Sequence, residues 1–198
     1  MNLDDSRMVY ACCSLVLMLI IVAPTLGLIV PFSRNSQRFS ELWVLGPDYV
    51  AEEYPLNAVI NEKQNVFVGV GNHMGRSVYY AVYVKLRNQT QAAPNTTTLT
   101  PSPLASLYEF HFVVADGKTW EKPVVFSFLE ASRSGDFLNV TKISINGAVL
   151  SVKNLAMRDS RDNGFYYELF FELWMYNEFV SSFSYHNRFV GIWLNMTA

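Results

Sequence analysis

One uninterrupted apolar stretch opens the chain, and segments with an apolar residue at every second position follow it. The stretch begins at Met8, ends at Val30 and contains no charged residue. A helix of about 20 apolar residues crosses the hydrocarbon core of a bilayer. The pattern therefore predicts a single transmembrane helix over residues 8–30 that contacts membrane lipid. It would follow a short N-terminus of residues 1–7 and precede a polar linker of residues 31–38.

A cleaved signal peptide is the competing interpretation of the same stretch. Its apolar region usually covers about 7–15 residues after a basic start. This stretch is longer than that and follows Asp4, Asp5 and Arg7, although Pro24 and Gly27 would suit a cleavable end. We favour a retained membrane anchor.

Residues 39–198 show the two-residue period of β-strands, interrupted by turn signals. The clearest case is the alternation of Val78, Tyr80, Val82, Val84 and Leu86. Residues 91–103 are rich in Thr, Pro and Ala and predict an exposed loop. Strands are predicted at residues 39–45, 66–70, 78–86, 108–115, 124–129, 140–145, 148–152, 165–176 and 188–196.

The turn signals predict how some of these strands are joined. Asn146-Gly147, between two β-branched runs, is typical of a tight hairpin, and residues 71–76 predict a hairpin-like connection. Residues 165–176 are long enough for a helix, but their aromatic content and the preceding Asn163-Gly164 favour a strand. The whole pattern predicts an all-β fold, an immunoglobulin-like β-sandwich preceded by one N-terminal transmembrane helix.

Four N-x-S/T motifs indicate which side of the membrane this domain occupies. The charge bias favours a cytoplasmic domain, because Arg34 and Arg38 follow the apolar stretch and only Arg7 precedes it. Long domains, however, cross membranes largely regardless of charge, and glycan acceptors indicate an extracytoplasmic surface. We therefore expect a cytoplasmic N-terminus and an extracytoplasmic domain at the cell membrane. The expected glycosylation sites are Asn88, Asn95, Asn139 and Asn195.

Composition narrows the classes of partner and cofactor. The formal net charge is −2 and no cluster of Lys and Arg is present, which argues against a nucleic-acid partner. Aromatic residues make up 15 % of the chain, a share that favours strands and contact surfaces. The two cysteines, Cys12 and Cys13, are adjacent and lie inside the apolar stretch, which is not the spacing of a zinc site. We expect them to face lipid as small apolar residues. The alternative is a lipid-modified cysteine, which the position of the apolar stretch after the cysteines disfavours.

No arrangement of residues predicts catalysis or a cofactor. His73, His111 and His186 lack a partner at metal-ligand spacing. We expect His73 to bond the free backbone groups of its turn, together with Asn72, and His111 to be a surface or cross-strand residue in the middle of its strand. Residues 159–164 resemble a calcium loop faintly, but Arg161 occupies a ligand position, which favours a plain turn.

Charged and aromatic residues share faces on the last two predicted strands. Glu168 and Glu172 lie on one face and are expected to pair with Lys or Arg across strands.

Tyr166, Phe170 and Trp174 also share one face of their strand, and Phe189 and Trp193 share a face of the next. If the two strands pair, these five residues form one aromatic surface for a protein partner or for stacked sugars. The alternative is that a sheet or loop covers them.

Several motifs occur in order along the predicted domain. They are Leu45-Gly46-Pro47, then Tyr54-Pro55-Leu56-Asn57, then Gly71-Asn72-His73, with further similar stretches at residues 118–123, 172–176 and 188–194. With these motifs the chain resembles an archaeal family known as domain of unknown function 1616. The resemblance implies a membrane-attached, surface-facing β-sandwich in an archaeon and implies no activity. Family members often carry several membrane helices, whereas this chain has one, and its Asn146-Gly147 hairpin looks like an insertion.

The sequence thus predicts a non-catalytic, membrane-anchored extracytoplasmic module. Its expected role is that of an accessory or interaction subunit in an archaeal membrane or cell-surface complex, with an unidentified protein partner. The alternative is a cell-envelope module that binds glycans on the aromatic strand face.

Overall fold

The computed structural model describes residues 3–29 and 38–197, and the side chains of residues 7–22 and 38–196. The chain divides into two compact units, Met1–Gln37 and Arg38–Ala198. Most of the predicted linker lies outside the described residues.

The first unit contains one helix, α1 (Leu3–Ile29). It starts earlier than the predicted helix, whose last residue, Val30, lies outside the described residues. Side chains from Arg7 to Val22 are exposed. In the part of the chain that the structure describes, no helix meets the length and apolarity needed to cross a membrane.

The second unit is built from strands, and the all-β prediction is confirmed. One five-stranded sheet has the order β1-β3-β6-β7-β8 and the other has the order β2-β10-β9-β4-β5. The strands are β1 (Phe39–Leu45), β2 (Asn57–Val59), β3 (Gln64–His73), β4 (Val78–Asn88), β5 (Tyr108–Val114), β6 (Thr119–Ser134), β7 (Phe137–Ile145), β8 (Ala148–Met157), β9 (Phe165–Asn177) and β10 (Ser182–Thr197).

The alternating residues of both sheets meet in one hydrophobic core. Val66, Val68 and Val70 of β3 are completely buried, as are Val82 and Val84 of β4. Burial of a large apolar side chain contributes about 1.5–3 kcal/mol, so the facing sheets supply the main stabilisation of this unit.

The hairpin prediction for residues 71–76 is wrong. β3 and β4 belong to different sheets, so this connection crosses from one sheet to the other. Both strands carry strongly apolar faces, and these faces contribute to the shared core instead of pairing edge to edge.

Two other predictions, one about a connection and one about a strand, are confirmed. Asn146 and Gly147 have φ values of 49° and 86°, as a type I′ hairpin requires, and Ile145 pairs with Ala148 beside them. β9 is a strand rather than a helix, and it pairs antiparallel with β10.

Candidate binding site

The predicted aromatic residues do share the outer face of the second sheet. In the β9–β10 register Phe189 lies opposite Glu172 and Trp193 lies opposite Glu168. Because alternate residues of a strand point to the same side, Tyr166 and Phe170 belong to that face as well.

A loop covers the centre of this face, so the expected continuous aromatic surface is interrupted. Phe170 is completely buried. Ser102, in the loop of residues 89–107, donates its backbone N–H to Glu172 Oε1 (2.7 Å) and accepts a bond from Lys85 Nζ at its carbonyl (2.9 Å). At Phe170, therefore, the alternative interpretation is correct, and this aromatic residue is covered rather than exposed.

The two glutamates pair with cations of the neighbouring strand, as predicted. Lys85 Nζ lies 2.8 Å from Glu172 Oε2, and the exposed fractions of these side chains are 4 % and 0 %. Arg87 binds Glu168 through its Nε and stacks over Trp193 at 4.7 Å from the ring centroid. These pairs hold β4 and β9 together beneath the loop.

The uncovered aromatics form two separate groups. Trp193, 37 % exposed, and Tyr166 border a shallow pocket of about 340 Å³ with Gln89, Asp159 and Asp162.

The second group centres on the half-buried Trp174. Its ring centroid is 4.9 Å from that of Tyr83 and 5.8 Å from that of Tyr185. Burial, followed by the nearby charge of Glu172, raises the pKa of Tyr185 to about 12, so this phenol stays neutral under ordinary conditions.

The fifth predicted residue, Phe189, lies in a groove between β1 and β10. The cavity measures about 470 Å³. Its lining mixes aromatic, polar and charged side chains: Phe39, Ser40, Glu41, Leu42, Thr96, Asn187, Arg188 and Phe189.

The groove runs beside two strand edges that the described sheets leave open. β1 pairs with β3 on one side and ends its sheet. β2 pairs with residues 195–197 of β10, where Asn195 N–H donates to Leu56 O (2.7 Å). Backbone groups two residues apart in a strand point to the same side, so those of Phe189, Gly191 and Trp193 point away from β9, as those of Asn195 do. The short β2 does not extend far enough to pair with these three residues.

Arg188 is an uncompensated cation in this groove. Its side chain is exposed, and it makes no ion pair or hydrogen bond within the described range 38–196. Glu41, the acidic residue of the lining, is instead 3.5 Å from His73 Nε2. The groove therefore offers a ligand the cation of Arg188 on its β10 side and the anion of Glu41 on its β1 side.

A polar network joins the two sheets under the groove. Ser40 Oγ lies 2.7 Å from Tyr80 Oη and 3.0 Å from His186 Nε2, and Tyr80 Oη donates to Asn72 Oδ1 (3.2 Å). Burial, with a further contribution from Arg188, lowers the pKa of His186. Ser40 is completely buried and belongs to the lining of the groove, so the serine–histidine pair lies at the floor of the groove.

Asn72 bonds the β3–β4 turn as predicted, whereas His73 does not. Asn72 Nδ2 donates to Arg76 O (2.8 Å), and Asn72 Oδ1 accepts from Met74 N–H (3.0 Å). The prediction for His73 is wrong, because this ring stacks on Phe39 at 4.7 Å at the edge of the sheet.

The other sequence candidates for chemistry have structural explanations. His111 is exposed on β5 and contacts Glu109 at 3.0 Å, as expected for a strand-surface histidine. Asp159 Oδ1 accepts from Arg161 N–H (2.8 Å), which closes a plain turn. Within residues 3–29 and 38–197, no cluster of three or more His, Cys, Asp or Glu side chains is arranged to hold a metal ion.

The four predicted glycan acceptors differ in accessibility. Asn88 is 6 % exposed, and its Nδ2 donates to Leu155 O (2.7 Å), so this fold leaves no room for a glycan there. Asn139 and Asn195 are half-buried, whereas Asn95 is exposed and uses Oδ1 to accept from the loop backbone. Asn95 is therefore the acceptor whose amide is best presented.

Sequence reasoning missed most of the groove. Thr96 gave no signal, and the open edge of β10 was not foreseen because the three-residue strand β2 beside it was not predicted. The isolated cation Arg188 at the start of an apolar strand was the available hint.

Two five-stranded sheets around one core, with a charged groove along an open edge, define an all-β domain. The chain belongs to the family described as Domain of unknown function (DUF1616), whose model matches residues 33–137. The match includes β1 and Thr96 of the groove and ends before β10. No curated protein matches the chain.

Proposed function

We propose that this protein is a non-catalytic interaction module, an immunoglobulin-like β-sandwich attached to a membrane by its N-terminal segment. The support for attachment is the uncharged stretch from Met8 to Val30 and the exposure of its apolar side chains through Val22. The exposed acceptor Asn95 favours an extracytoplasmic domain. Its role is that of an accessory subunit in an archaeal membrane or cell-surface complex.

The open strand edges at the groove carry the proposal of a protein partner. An extended segment placed beside β10 would bond the outward backbone groups of Phe189, Gly191 and Trp193. Addition of a strand to a free sheet edge is a common mode of peptide recognition, in which backbone bonds give affinity and side-chain pockets give specificity.

The groove lining defines the chemistry of the segment. Arg188 would bind a carboxylate, because a guanidinium and a carboxylate form paired, charge-assisted hydrogen bonds. Phe39, Leu42 and Phe189 supply apolar contacts on either side. The partner is therefore an extended segment with an acidic group flanked by apolar residues.

Selection from a library of extended peptides tests the groove. We expect the full chain to enrich acidic–apolar sequences, and Arg188→Glu to weaken their binding, measured by fluorescence anisotropy, by roughly tenfold or more because like charges then meet. Lys153→Glu makes the same charge change on an exposed site of β8 and should leave affinity unchanged. Equal affinity of the wild type and Arg188→Glu would rule out peptide binding through Arg188 in the groove.

A glycan ligand is a second candidate, favoured by the pocket beside Trp193. Aromatic faces stack on sugar rings, and Gln89, Asp159 and Asp162 would bond the hydroxyl groups. On a glycan array the wild type should then bind and Trp193→Ala should lose most of the signal, since a stacked aromatic anchor dominates such sites. Arg188→Glu is the matched control, and it should bind like the wild type. An array without binding would remove this candidate.

A further inference from the structure

The turn between β9 and β10 exposes two apolar side chains to solvent. Phe179 is 100 % exposed and Val180 is 59 % exposed. Phe179 N–H donates to Asn177 Oδ1 (2.9 Å), which holds the turn in shape. Turn positions favour Gly, Pro, Asn, Asp and Ser, so a projecting Phe-Val pair calls for a contact outside the described fold.

A cluster of aromatic side chains lies directly behind Phe179 and Val180, which together are called the tip. The Phe183 ring is 5.5 Å from Tyr176 and 5.0 Å from Tyr79, and Tyr79 is 40 % exposed. Tyrosine combines an apolar ring with a polar hydroxyl and is enriched where a protein meets the boundary between lipid and water. The order of side chains, apolar tip first and tyrosines behind, matches the polarity gradient of a bilayer surface.

The tip lies at the end of the domain where β1 begins. Arg76, in the β3–β4 turn, is 3.6 Å from Glu178 of the tip, and β1 starts at Phe39 opposite His73, just before that turn. The chain coming from α1 therefore enters the second unit at the same end as Phe179.

Charges of both signs lie around this end. Arg38, Arg76 and Lys118 are exposed there, and so are Glu41, Asp116 and Glu178. These charges balance, so the apolar tip and the tyrosines behind it, rather than net charge, favour a lipid surface.

We propose that the Phe179-Val180 tip inserts into the interfacial layer of the bilayer to which the N-terminal segment is attached. Tyr79 and Tyr176 would then lie at the level of the headgroups. The inference rests on the proposed membrane attachment, and it adds a second lipid contact that would fix how the groove is presented. A convex tip of two residues suits a soft lipid surface better than a protein pocket.

The test uses the full chain in vesicles of phosphatidylcholine with phosphatidylglycerol. Cys12→Ser and Cys13→Ser remove the native thiols, and a spin label is placed through Ser181→Cys at the tip or Ser160→Cys in the β8–β9 turn as the control. Collision of each label with dioxygen, which concentrates in lipid, is compared with collision with a water-soluble nickel chelate. Flotation of the vesicles measures attachment separately.

We expect the label at residue 181 to collide several-fold less with the nickel chelate than the label at residue 160, and more with dioxygen. Adding Phe179→Asp should abolish this difference while the chain still floats. If the chain floats and the two labels are equally accessible to nickel, the tip proposal fails and attachment stands. If the chain does not float, the proposed attachment fails and the tip proposal fails with it.

Discussion

Glu172→Ala is expected to destabilise the second unit by about 3–5 kcal/mol, the usual cost of removing one partner from a buried ion pair. Lys85 would keep a charge in a site where 4 % of its side chain is exposed. Ser102 N–H and Trp174 Nε1 would also lose their carboxylate acceptor. Urea unfolding followed by circular dichroism measures the change in the free energy of unfolding.

The controls separate this buried pair from ordinary surface charges. Glu178→Ala removes the exposed partner of Arg76 and should cost about 0–1 kcal/mol. The double variant Lys85→Met with Glu172→Leu should recover much of the loss, because apolar groups of similar volume remove both charges. Equal losses for Glu172→Ala and Glu178→Ala would show that the pair is not buried.

Asn72→Ala should be the next most damaging change, at roughly 2–4 kcal/mol, because each buried polar group left unsatisfied costs about 1–3 kcal/mol. The Asn72 side chain bonds Arg76 O, Met74 N–H and Val114 O (2.8 Å), and it accepts from Tyr80 Oη. Alanine leaves these groups, several of them enclosed between the sheets, without partners. Thermal unfolding should show a clear fall in Tm.

Asn95→Ala provides the matched control for Asn72. Asn95 also accepts two backbone bonds, from Thr97 and Thr98, but it is exposed, so water replaces them and the loss should stay near 0.5 kcal/mol. A loss for Asn72→Ala no larger than that for Asn95→Ala would contradict the importance of the network between the sheets.

The strands could be predicted wherever burial on one face imposes alternation. β4 is the best case, since Val78 to Leu86 alternates and the observed strand extends just beyond it, to Asn88. β6 was predicted too short because residues 132–134 are exposed on both faces. Pairing with β7 rather than burial holds that end of the strand, so apolar periodicity cannot reveal it.

Strand partners and covering loops were harder to predict than strands. The sequence of a turn does not show whether the turn closes a hairpin, as at Asn146-Gly147, or connects strands of different sheets, as at Asn72. The polar composition of the loop around Ser102 predicted exposure, yet its backbone groups bond Lys85 and Glu172. The charges within the apolar strands β4 and β9 were the signal that something polar covers them.

Ser102 also connects the buried ion pair of Lys85 and Glu172 to the loop segment that lines the groove. Its hydroxyl donates to Ala92 O (2.8 Å), so the segment that carries Thr96 to the groove is fastened at its base to Lys85 and Glu172. A substitution in this pair would then loosen one wall of the groove without altering any residue that a bound peptide touches. Under the proposed peptide binding, affinity would in this way depend on two interior charges that the ligand does not contact.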